Sequence, residues 1–110
     1  MNRCVILVPL NYNDGTPVPG KVITQIKREL DEAFDGHTIG GTVEGTYRMA
    51  DGSMAKDACL EVWVAIEPSQ EELLRKMAAR YARILKQESI WFEVTNSKVD
   101  FIRPDDEGGT

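Results

Sequence analysis

Three glutamates and one arginine are the residues through which this sequence could do chemistry. Glu61 stands two positions before Trp63, and Glu93 two positions after Trp91, so on β-strands each carboxylate shares a sheet face with an indole. Glu44 and Arg48, four apart on a third candidate strand, join that face in the register argued below. A carboxylate enclosed by tryptophan has its charged form disfavoured; its pKa rises, and it can then work as an acid or base. Arg48 would hold an anionic substrate. The plainer reading leaves the same glutamates on a wet rim, where they serve solubility alone.

Other chemistries find little support. His37 is the single histidine and opens a strand just after a glycine turn, a position more typical of a surface residue than of a base. One histidine and two separated cysteines make no zinc constellation, so no metal and no cofactor is expected. No G-x-S-x-G elbow occurs. The run Gly40-Gly41-Thr42-Val43-Glu44-Gly45 leads into a strand, where a dinucleotide fingerprint needs a helix N-terminus. Arg75, Lys76, Arg80, Arg83 and Lys86 form a basic run late in a candidate helix. Acids at its start and bases toward its end are what the helix dipole favours, and no aromatic residues interleave on that outward face.

The composition points the same way. A net charge of -5 and a pI near 4.8 argue against general attraction to nucleic acid. A chain of 110 residues with 42% hydrophobic and 28% charged content fits one domain with a real core. That domain is expected over residues 1–103, with a flexible acidic tail over 104–110. Cys4 and Cys59 are too few for a disulfide framework and fall inside candidate strands, which points to a reduced, cytoplasmic protein. The apolar run from Cys4 to Leu10 is far too short to span a membrane.

The elements that must position the glutamates follow from periodicity. Residues 3–10 are apolar at consecutive positions, as in a central strand covered on both faces. Val22, Ile23, Ile26, Leu30, Ala33 and Phe34 recur at helical spacing after Pro19 and stop at Asp35-Gly36. Residues 42–66 read as a long hairpin with a two-residue turn at Asp51-Gly52. That turn sets Met49 opposite Met54, Val43 opposite Leu60 and Glu44 opposite Cys59. Val43, Tyr47 and Met49 then lie with Leu60, Val62 and Val64, while Glu44 and Arg48 lie with Cys59, Glu61 and Trp63. Glycines 40, 41 and 45 mark a bulge or bend.

Ser69 with Glu72 has the spacing of a capping box before a second helix that buries Leu74, Met77, Ala78, Tyr81, Ile84 and Leu85. Residues 90–95 alternate again, and Asn96-Ser97 looks like a turn into a short extra strand, 98–102, with Val99 and Phe101 opposite Val94 and Phe92. This βαββαβ order predicts an α+β, ferredoxin-like domain: an antiparallel sheet with both helices on one face. The other face would carry Trp63, Trp91, Glu61, Glu93, Glu44 and Arg48, a patch that soluble monomers seldom leave bare. A homodimer burying it is expected.

The segments Gly45-Thr46-Tyr47-Arg48, Asp51-Gly52, Tyr81 and Gln87-Glu88-Ser89-Ile90 resemble a family of small bacterial proteins known as a domain of unknown function. Its members show a G-x-W-R strand, a D-G turn and a Y-x-x-x-F-x-Q-E-S-V segment before a final strand pair. Tyr47 stands where tryptophan is usual there, and Leu85 where phenylalanine is usual. The resemblance spans Phe34 to Phe101. It implies the fold, brings no catalytic residue, and singles out Arg48, Gln87, Glu88 and Ser89. Gln87-Glu88-Ser89 would equally serve to end the helix and bond the loop backbone. The leading expectation is a binding protein, more a binder than an enzyme, taking a small molecule or a protein partner at the helix-free face. The runners-up are an enzyme of the dimeric α+β-barrel kind using Glu44, Glu61 or Glu93, and an acidic inhibitor of a basic protein surface.

Overall fold

A computed structural model describes residues 1–108. Strand β1 (Asn2–Pro9), helix α1 (Gly20–Phe34), strands β2 (Thr38–Arg48) and β3 (Met54–Ile66), helix α2 (Glu71–Ile84) and strand β4 (Phe92–Asn96) follow one another. The sheet is antiparallel, in the order β2-β3-β1-β4. This is the ferredoxin-like α+β arrangement. Cys4, Ile6 and Val8 of β1 stand beside Val64, Val62 and Leu60 of β3, and they pack with Ile26 and Leu30 of α1 and Leu74 and Tyr81 of α2. Between the helices, Glu29 accepts an ion-paired hydrogen bond from Arg80 and another, of 3.0 Å, from the Tyr81 hydroxyl. No helix among the described residues is long and apolar enough to cross a membrane.

Four local expectations are corrected. The hairpin turn has three residues, not two. Met49 N donates to Ser53 O at 2.7 Å, Gly52 N donates to Met49 O at 2.9 Å, and only Gly52 takes a positive φ, of 88°. That is a turn closed by a left-handed glycine, not one with both central residues left-handed. The pairing therefore slips by one: Arg48 faces Met54, Glu44 faces Ala58 and Val43 faces Cys59. Every β2 side chain in that stretch moves to the opposite face. Val43 and Tyr47 join Cys59 on the helix-free side, and Glu44 and Arg48 leave it. A bulge at Gly40, between the Ile39–Val62 and Gly41–Glu61 pairs, moves the register one residue further, so the facing of the side chains alternates back near the start of β2.

The second correction is at the entry to α2. The reciprocal cap joins Glu67 and Gln70 around a 3-10 turn, with Glu67 N donating to Gln70 Oε1 at 2.9 Å, so it lies two residues before the expected Ser69 and Glu72 pair. Third, Ile84 is 43% exposed instead of buried, while Leu85 just beyond the helix is fully buried.

Fourth, residues 98–102 form no strand among the described residues. Ser97 N donates to Met1 O at 3.0 Å, so the chain keeps running past the end of β1 where a hairpin would turn back. The acidic stretch Pro104–Gly108 makes an exposed 3-10 turn, in which Arg103 N donates to Asp106 Oδ2 at 2.9 Å. Residues 109 and 110 of the expected tail lie outside the described residues. The radius of gyration is 16.4 Å, against about 13 Å for a compact chain of this length.

Candidate functional site

The helix-free face has two ends. Val5, at its centre, sits directly between Trp63 of β3 and Glu93 of β4, so both tryptophan-bearing segments border β1. Val5 and Cys59 are 8% and 4% exposed although no helix covers them, and neither belongs to the core under the helices. At the end near the start of β1, the Arg3 guanidinium carbon lies 4.5 Å from the Trp63 ring centroid and an Arg3 nitrogen lies 3.6 Å from Glu61 Oε1. The Glu61 carboxylate lies over Gly40, where a Cβ would come within 2.6 Å of Oε1. This end is filled by its own side chains.

The other end holds a cavity of about 400 Å³, within the ~300–1,000 Å³ of small-molecule sites. Leu7, Pro9 and Cys59 form its floor, Tyr47 and Met49 one wall, and the segment from Gln87 to Trp91 the other. That second wall owes its course to how α2 ends. Lys86 takes a left-handed conformation, φ 57°, while Lys86 N donates to Arg83 O at 3.1 Å and Gln87 N donates to Ala82 O at 2.9 Å. These two bonds close a Schellman motif and turn the chain back toward β1. Gln87 Nε2 then donates to Asn13 Oδ1 at 3.2 Å and to Leu85 O at 3.1 Å, and Leu7 N donates to Trp91 O at 3.3 Å. Gln87 is thus engaged in holding the wall, as its position after the helix suggests.

The electrostatics favour neutral donors inside the cavity. Burial, with help from Asp57, pushes the Cys59 thiol above its ordinary value, so it stays protonated and is a poor nucleophile. Burial raises the Tyr47 phenol as well, with Cys59 and Asp57 adding to the effect. A protonated phenol and a protonated thiol offer hydrogen bonds to a ligand over an apolar floor. Among the described residues, no group of three or more His, Cys, Asp or Glu side chains is placed to hold a metal ion.

The expected site residues divide. Trp91 lines the cavity, and Arg48, although its pairing puts it on the helix side of β2, borders the cavity at the strand's end beside Tyr47 and Met49. Trp91 is 53% exposed, its indole N–H donating to Glu93 Oε1 at 3.0 Å, and Arg48 Nη1 donates to the turn carbonyl of Gly52 at 3.0 Å. Trp63, Glu61 and Glu93 share the helix-free face but do not line the cavity. Glu44 has moved across the sheet, where it is exposed and 4.0 Å from Lys56. His37 lies elsewhere, with its Nδ1 2.5 Å from Asp31 Oδ1 at the end of α1. Reasoning from the sequence passed over Tyr47, Asp57, Cys59 and Leu7. Asp57 and Cys59 were placed on the correct face but opposite Thr46 and Glu44, and Tyr47 was placed on the other face; a three-residue reading of the Ala50-Asp51-Gly52 turn brings the three together.

The fold defines the chain as a ferredoxin-like α+β domain. Among solved structures it is similar to a phage SAM lyase in complex with S-methyl-5′-thioadenosine, with a TM-score of 0.68 and 13% sequence identity over 86% of this chain and 79% of that one. No protein-family model and no curated protein matches the sequence. At that identity the likeness concerns the fold.

Proposed function

We propose that this protein binds a small molecule with an aromatic ring, of the nucleoside thioether class, in the cavity between the β2–β3 hairpin and the segment that follows α2. The observation that carries the reading is the cavity itself: about 400 Å³, apolar at its floor, with Tyr47 and Trp91 on facing walls. An aromatic ligand ring gains about 1–3 kcal/mol by stacking on such a side chain. The ligand named for the structural neighbour, S-methyl-5′-thioadenosine, supports the choice of class. The reading needs no second copy. A homodimer covering the helix-free face, the expectation from sequence, would compete with the ligand for Trp91.

Titration calorimetry and tryptophan fluorescence with S-methyl-5′-thioadenosine test it. Saturable binding is expected, weakened about tenfold or more by Trp91→Ala and left unchanged by Trp63→Phe. Absence of saturation with this compound, adenosine and S-adenosylmethionine alike would reject the proposal. A second reading, in which the cavity also cleaves its ligand, draws on the neighbour's being a lyase and on Glu88 and Asp57 at the cavity lining. Chromatography of the S-adenosylmethionine sample for released S-methyl-5′-thioadenosine decides between binder and enzyme.

A further inference from the structure

The chain's most exposed large apolar side chains are Ile102 and Phe101, at 79% and 77%, with Val99 at 44%. They lie in the segment 98–102, which alternates like a strand yet pairs with nothing among the described residues. Two features keep it from folding back on its own β4. Ser97 N is bonded to Met1 O, so the tight turn at Asn96-Ser97 is not made. That turn would also set Lys98 opposite Thr95 and Asp100 opposite Glu93, two like charges face to face across a strand pair.

A strand arriving from another molecule is free of that turn and can choose its register. Shifted by two residues, it keeps its apolar side on the helix side of the sheet. Lys98 then faces Glu93, Val99 faces Phe92 and Phe101 faces Ile90. Phe92 and Ile90 are half-buried and packed against the core, next to an edge that pairs with nothing on its outer side. The other edge of the sheet offers no such match. Along β2 the helix-side positions are Thr42, Glu44, Thr46 and Arg48, and the Gly40 bulge breaks its line.

We propose that residues 98–102 of one copy add as an edge strand along residues 89–93 of a second copy, the start of β4 and the segment leading into it, each giving its segment to the other. Exchange of an identical element is a low-cost route to a closed two-fold dimer, and strand addition at an exposed edge draws on backbone hydrogen bonds with side-chain pockets for specificity. Ile90 and Phe92 also line the cavity, so the added strand would border the ligand site; Phe101 does not line it, so loss of the dimer in Phe101→Asp is read separately from ligand binding.

Sedimentation velocity of the full chain over a concentration series tests it, alongside Phe101→Asp. Because Phe101 is exposed, that change leaves the fold intact, which far-UV circular dichroism checks. The full chain is expected to dimerise and Phe101→Asp to weaken dimerisation at least tenfold. A second measurement mixes tagged Glu93→Cys with untagged Lys98→Cys under oxidation. Cys4 and Cys59 are buried and their thiols are raised by burial, so they compete poorly. A tagged–untagged disulfide as the main product is expected. A monomer throughout, a dimer indifferent to Phe101→Asp, or crosslinking confined to like variants would each overturn the exchange.

Discussion

The sheet behaves as two different structures along the length of β3. In the half under the helices, Val62, Val64 and Ile66 are 2%, 3% and 1% exposed, and Ile6 and Cys4, the β1 partners of the first two, are as deeply buried. In the half beyond them, β2 residues from Gly41 to Arg48 and β3 residues from Met54 to Ala58 include no buried side chain. Where one face is packed, a slip would expose a whole row of aliphatic side chains, so burial dictates the pairing. Where neither face is packed, the turn dictates it. The outer half therefore follows its three-residue loop, and the Gly40 bulge absorbs the mismatch between the two regimes.

The contrast can be broken by experiment. Leu74→Ala removes a fully buried side chain under the helices and should cost about 2–5 kcal/mol in urea unfolding; a loss below about 1 kcal/mol would mean that this half is not the stabilising one. Next comes the tie between the helices. Hydrogen bonds from Arg80, then from Gln25 and Tyr81, hold the Glu29 carboxyl at about 2 against the opposing effect of burial. Its folded value lies below the unfolded one, so its contribution is complete above about pH 4.3 and drains away as pH falls toward 2. Melting temperature should therefore fall over that window, and Glu29→Gln should flatten the fall; an equally steep acid limb in the variant would remove Glu29 from the account. The smallest effect is at the hairpin. A Cβ at Gly52 would meet nothing within 4 Å, so Gly52→Ala costs only the left-handed backbone, about 1–2 kcal/mol. A larger loss would show that the outer half matters more to stability than its burial implies.

The same division explains what could be read from the amino acids. The strands and helices of the packed half were legible because Ile26, Leu30, Leu74 and Tyr81 repeat at helical spacing and β1 is apolar at every position from Cys4 to Pro9. Glycines 40, 41 and 45 were legible as an irregularity of the strand, a bulge, a bend or a close backbone approach, and the bulge falls at Gly40. The pairing of Glu44 and Arg48 was not. An Asp-Gly pair fits both a two-residue and a three-residue loop, and no core residue on β2 arbitrates between them. The last strand failed for another reason: alternation shows that residues 98–102 can be a strand, but not whose sheet receives it. For the cavity, resemblance to a family singled out Arg48, Gln87, Glu88 and Ser89, all of which line it; of the two carboxylates beside indoles, Glu93 led to Trp91 at the lining, and Glu61 led to Trp63 at the end of the face already filled by Arg3.

One contact reaches further than its size. The Tyr47 hydroxyl rests over Gly45, so close that a Cβ there would lie 2.7 Å from the oxygen. The ring forming the cavity's hairpin wall is parked on the bare backbone of its own strand. Any side chain at position 45 would tip that ring, and the width of the opening would change although position 45 never borders it. A single site outside the lining thus works as a gauge for the size of guest admitted, a dial that evolution or an engineer can turn without altering one atom of the floor.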